Sequence, residues 1–281
     1  MLLLEVGLSA GLTFPRFLGI HTTGLSHISA PKTRFEISYN YQNRPYYRRD
    51  LSSASWSYSW RNLSNSSFTL RPININWVNV SYIDQKFFDG LMNEYLKRSY
   101  ESQLIVGMAG SYTYNNTRAE SSLNQTLVRI NVELAGNTVD GLMHLLSKPV
   151  AGEKYYNFLG IRYSQYFRTD INLSQRIMLG EKCAIAGRLY AGVGVAYGNS
   201  VAIPFDRMFY AGGSNSMRGW APRTLGPGSS QIPEDTVYPT QLGDTKLEAN
   251  LEFRFPIWSM LHGATFLDLG NIWYMGHNKV D

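Results

Sequence analysis

Apolar and polar residues alternate one by one along most of this chain, a period that a β-strand satisfies and a helix does not. Residues 4 to 12 set Leu4, Val6, Leu8, Ala10 and Leu12 against Glu5, Gly7, Ser9 and Gly11. The pattern returns at 35–42, 53–60, 73–77, 103–109, 128–134, 155–177, 183–197, 247–257 and 264–274, so about ten antiparallel strands are expected. It is cleanest at 247–257, where Leu247, Ala249, Leu251, Phe253, Phe255 and Ile257 oppose Glu248, Asn250, Glu252 and Arg254. Residues 155–177 read as the longest single strand, with Tyr163 on its apolar side. A change of phase at Val78, Asn79 and Val80 reads as a β-bulge.

Long alternating strands also suit a soluble sandwich. Three details favour a membrane barrel. Arg and Glu sit deep inside strands, and the apolar parity is continuous over up to a dozen positions. Aromatics (Tyr46, Tyr47, Trp56, Trp60, Tyr112, Tyr114, Tyr155, Trp258, Trp273) gather near strand ends as an interfacial girdle would. About 9–11 residues suffice for a strand to cross a bilayer. The expected fold class is therefore all-β, an antiparallel transmembrane β-barrel with a lipid-facing outside and a polar lumen.

Composition closes off other classes. With 44% hydrophobic and 17% charged residues the chain is too apolar for disorder and too poor in charge for a coiled coil. The single Cys183 excludes a disulfide scaffold. The stretch Met1–Leu12 is interrupted by Glu5, Gly7, Ser9 and Gly11 and has no basic start, so it is neither a membrane helix nor a signal peptide. His21, His27, His144, His262 and His277 are dispersed without metal-ligand spacing. Gly212–Ser216 is no nucleophile elbow, and Gly226–Ser230 lacks the lysine of a phosphate loop. No catalytic residue, metal or cofactor is expected, and the chain is not read as an enzyme. A charge of +5 without a basic, aromatic-interleaved cluster gives no sign of nucleic-acid binding.

Counted alternately, the connections after Tyr41, Val80, Leu134 and Tyr197 share one side and include most of the long ones, which places them outside the cell. Those after Leu12, Trp60, Tyr114, Met178 and Ile257 face the periplasm, where the long segment 11–32 is an exception. Short helices are expected at 87–97 and 139–146, each carrying Asp-Gly-Leu-Met (Asp89–Met92 and Asp140–Met143).

One stretch points to a family. Phe209-Tyr-Ala-Gly-Gly-Ser-Asn-Ser-Met-Arg-Gly-Trp220 resembles the lumenal loop of the outer-membrane assembly barrels of the Bam and Tam type, a group that includes two-partner secretion transporters. In that family a long loop after the eleventh of sixteen strands folds into the lumen with a Val-Arg-Gly-Phe or -Tyr tip; here the tip is Met217-Arg218-Gly219-Trp220. Downstream, Leu251-Glu252-Phe253 and Phe266-Leu267-Asp268-Leu269-Gly270 resemble the two strands whose acids receive the loop arginine. Parity independently places Glu252 and Asp268 on the polar face. A guanidinium offers a planar fork that two carboxylates grip bidentately, and Gly219 is expected to supply a close approach or a positive φ.

The resemblance implies a lumen-inserting loop at about 199–240 and a bacterial outer-membrane protein that folds and inserts other outer-membrane proteins. A polypeptide transport pore of the two-partner secretion type is the alternative, and a membrane esterase or phospholipase barrel is disfavoured for want of a Ser and His in an active-site context. The implied partners are the outer-membrane bilayer, unfolded outer-membrane proteins, and periplasmic or lipoprotein accessory subunits. By strand order the 281 residues read as strands four to thirteen of sixteen, a partial barrel without POTRA repeats, seam strands or a signal peptide.

Overall fold

The computed structural model describes residues 4–20, 29–62, 65–89, 97, 100–116, 124–146, 155–230 and 241–275. Ten long strands form one antiparallel sheet: β1 (Leu4–Phe14), β2 (Ser29–Asn43), β3 (Tyr47–Arg61), β4 (Ser66–Ile83), β5 (Gln103–Asn115), β6 (Gln125–Ala135), β9 (Tyr166–Leu179), β10 (Cys183–Ala196), β11 (Thr245–Trp258) and β12 (Leu261–Trp273). A two-residue hairpin, β7 (Asn157–Phe158) with β8 (Ile161–Arg162), stands apart. Helices are short: α1 (Gln85–Asp89) and α2 (Asn137–Leu146), both on the side with the longer connections. Of the first Asp-Gly-Leu-Met string, Gly90 to Met92 lie outside the described residues. Among the described residues no helix is long and apolar enough to cross a membrane.

Alternation is inverted relative to a soluble sheet. Leu251 on β11 is 52% exposed, while Glu248 on the opposite parity is 1% exposed. Leu8, Leu12, Ile37, Leu189, Leu247, Leu267 and Leu269 repeat the first environment on other strands. Water would penalise such an apolar exterior, and hydrocarbon favours it. Apolar burial occurs inside instead, where Tyr166, Ala196, Ile203, Phe205, Met208 and Leu242 cluster with Val78, Tyr100, Ile105 and Ala135. Much of that cluster comes from the long β10–β11 connection.

This connection also shows that the sheet curls. Asp206 pairs with Arg49 of β3 at 2.8 Å, and its neighbour Arg207 pairs with Glu133 of β6 at 3.4 Å. Strands lie about 4.8 Å apart, so β3 and β6, three intervals apart in the sheet order, meet consecutive loop residues by wrapping around them. The sheet edges β1 and β12 do not pair with each other among the described residues.

Three sequence expectations need correction. Residues 155–177 do not form one strand. Leu159 (φ 54°) and Gly160 (φ 79°) turn the chain back, Tyr163 is fully buried against Leu104, Val139 and Met143, and its hydroxyl donates to Asp140 at 2.6 Å. The pairing of β3 with β4 stays regular through Val78, Asn79 and Val80 and slips at Ser81, since Arg49 faces Val80 and Arg48 faces Tyr82. Val78 points inward because the inserted loop gives that part of the inner face an apolar partner. For the same reason Tyr47 leaves the expected girdle and packs its ring 6.3 Å from Phe205.

The exceptional connection after β1 has a structural role in its described part, residues 15–20. It folds over the outer face of β2 and β3, where Thr33 donates to the Arg16 carbonyl at 2.8 Å and Tyr58 donates to the Leu18 carbonyl at 2.7 Å. Phe17 sits edge-on to Tyr58 and Trp60. An aromatic row continues through the stacked pair Trp60–Phe68 to Tyr112.

Candidate functional site at the loop tip

Strand register builds the wall of the site as rows of inward side chains. One row runs Gln125, Arg176, Ala186, Glu252, Phe266 across β6, β9, β10, β11 and β12. The next is Leu127, Ser174, Arg188, Asn250, Asp268, and the one beyond it is Arg129, Asn172, Tyr190, Glu248, Gly270. Glu252, Asp268 and Glu248 thus lie on two neighbouring strands at successive levels, all on one face.

The loop presents its tip to these rows through a tight reversal. Gly212 (φ 101°) and Gly213 (φ 98°) adopt left-handed backbone that other residues resist. The Gly213 amide then donates to the Trp220 carbonyl at 2.8 Å, closing the tip. Met217 is buried with Phe209, Ala211 and Ile272, which fixes the apolar side of the reversal.

Arg218 occupies the end. Its Nε and Nη2 donate to the two oxygens of Asp268 at 2.8 and 2.7 Å, and its backbone amide reaches Oδ2 at 3.1 Å. Nη1 donates to Glu252, which also receives Arg254 Nε at 2.5 Å. The guanidinium lies over the Phe266 ring with Cζ 3.7 Å from its centroid, a cation–π placement. The Phe-x-Asp-x-Gly string thereby acquires a physical reading. Phe266 supplies a ring face, Asp268 the fork, and Gly270 leaves room, since a Cβ there would lie 2.6 Å from the Leu247 carbonyl oxygen and 2.9 Å from Glu248.

Sequence reasoning brings Arg218, Glu252 and Asp268 together, and the geometry does the same. Two tip residues behave otherwise. Gly219 has neither a positive φ nor any atom within 4 Å of a Cβ built on it, so neither expected reason for glycine applies there. Trp220 is 49% exposed and takes part through its backbone carbonyl.

A second cluster escaped the sequence reading. Glu248 accepts from Ser216 of the loop, from Lys246 Nζ at 2.8 Å and from Arg188 Nη1 at 3.0 Å, with its side chain fully buried. Lys246 also donates to the Tyr210 carbonyl at 2.7 Å, and Arg188 to the Asn215 carbonyl at 3.0 Å. Asn250 joins the clusters, donating to the Ser216 carbonyl at 2.8 Å and to Asp268 at 2.9 Å while accepting from Arg188 at 3.2 Å. The Lys-x-Glu spacing of 246 and 248, in phase with Glu252, was the available signal, but any polar lumen face produces such spacings.

Comparison with known proteins accords with this architecture. The model of the Omp85 superfamily domain matches residues 4–279. The outer membrane protein assembly factor BamA of Neisseria meningitidis serogroup B is 27% identical over 184 residues, covering 62% of this chain and 19% of that protein. The crystal structure of BamA from Haemophilus ducreyi lacking POTRA domains 1–3 superposes with a TM-score of 0.66 at 17% identity, over 96% of this chain and 50% of that one. The chain therefore spans half or less of the length of these relatives. A curled antiparallel sheet, apolar outside and polar within, makes it a bacterial outer-membrane β-barrel chain, and it belongs to the Omp85 superfamily.

Proposed function

We propose that this chain is barrel wall and lumenal loop of a factor that folds and inserts outer-membrane proteins, working without covalent chemistry. The observation that carries the reading is the loop tip held by Arg218 on Asp268 and Glu252, in a barrel similar to one named as an assembly factor. Its partners are the outer-membrane bilayer, unfolded outer-membrane polypeptides, and periplasmic or lipoprotein accessory subunits; nucleic acid is not among them. The alternative is a polypeptide transport pore of the two-partner secretion type, a branch that shares the lumenal loop.

Reconstitution in liposomes tests this. The chain should accelerate insertion of a urea-unfolded outer-membrane barrel, read as acquisition of protease resistance, and Arg218→Ala should reduce the rate several-fold. Release of an added polypeptide into the vesicle interior without inserted barrels would replace assembly by transport.

A further inference from the structure

Between the loop tip and the wall of β6, β9, β10 and β11 lies a cavity of about 570 Å³ on the inner face. Its floor is made of small side chains, Ser174 and Ala186, and the loop residues Ser214 and Asn215 close one side. Four arginines line it: Arg176, Arg188, Arg218 and Arg254.

Among the described residues the charges around the cavity do not balance. Arg218 is held by Asp268 and Glu252, Arg188 and Lys246 share Glu248, and Arg254 shares the already engaged Glu252. Together with Arg176 that makes, among the described residues, five cations in a network with three carboxylates. Arg176 sits between Gln125 and Ala186 in its register row, and its Nε is buried with no hydrogen-bond partner among the described residues. A shielded guanidinium donor without an acceptor is costly, whereas buried polar groups in folded proteins are nearly always satisfied. Carboxylates and phosphates are the groups whose paired oxygens fit a guanidinium fork.

We propose that this cavity is an oxyanion-binding site, in which Arg176 is the principal cation, Arg254 a second, and Ser174 a neutral donor at the floor. The ligand class is a carboxylate or phosphate group small enough to pass beneath the seated loop tip. The site uses no residue of the Arg218 clasp as its main anchor, so it does not depend on the assembly reading.

Calorimetric titration of the folded full chain in detergent micelles, at fixed low salt, tests the proposal with inorganic phosphate in one arm and N-acetylglutamate in the other. Saturable binding of either is expected. Binding of phosphate alone assigns the phosphate source, and binding of N-acetylglutamate assigns the carboxylate. Arg176→Gln should weaken the affinity at least tenfold, with partial recovery in Arg176→Lys. Ser174→Phe fills the floor without altering charge and should weaken it comparably. If Arg176→Gln does not fold, judged by far-ultraviolet circular dichroism, Arg254→Gln at the exposed rim is read in its place. Absence of saturable binding in both arms, or wild-type affinity in the folded substitutions, overturns the site.

Discussion

Arg218 makes a bidentate bond, a second-acid contact and a ring contact at once, which leaves its carboxylate partners dependent on it. Removing one member of a buried ion pair costs about 3–5 kcal/mol, and the cost here is smaller because the Arg218 side chain is 22% exposed. Arg218→Ala and Asp268→Ala should therefore destabilise loop seating to a similar extent, and the double substitution should be no worse than either. Limited proteolysis of the loop measures this, and simple additivity would remove the coupling. Glycines at the tip divide sharply. Gly219→Ala should change stability by no more than about 0.5 kcal/mol, whereas Gly212→Ala, forced to keep φ 101°, should cost on the order of 1–3 kcal/mol in the same assay. The clasp was legible in the sequence because a motif and a parity converged on the same three side chains. Glu248 was not, since its distinction lies in what the loop brings to it, and a charged residue on a lumenal parity looks the same whether bathed in water or sealed under Ser216.

At the scale of elements, β11 carries the contrast that defines the wall. Nitroxide labels at Leu251 and Phe253 should report hydrocarbon, and a label at Arg254 should report water, as judged by accessibility to oxygen and to a water-soluble relaxation agent. Equal accessibilities at the two parities would contradict a membrane wall. Alternation made the ten strands readable, because one face meets lipid along their whole length. It misled where a third partner intervened. Tyr163 stands outside the ten-strand sheet and belongs to a buried cluster with α2, and no local pattern distinguishes a tyrosine facing lipid from one facing a folded-back loop. Tyr58 shares the outward parity of Trp56 yet is buried beneath residues 15–20. Tyr58→Phe should cost about 1 kcal/mol, the usual net worth of one hydrogen bond, measured by unfolding in denaturant.

Over the whole molecule, β1 and β12 form the two outer edges of the sheet, and neither edge has a partner strand among the described residues. Backbone groups at a sheet edge find no partners in hydrocarbon, at several kcal/mol each. In the bilayer both edges must therefore be paired, with each other or with further strands. The amide of Asn250 has a different consequence at this scale. By holding a Ser216 carbonyl on one side and Asp268 on the other, it makes the two anchor points of the loop a single mechanical unit. Loosening either anchor withdraws a partner from the same amide, so the two anchors are expected to release together. A tip tied at two points through one side chain is expected to let go as a unit and not piece by piece.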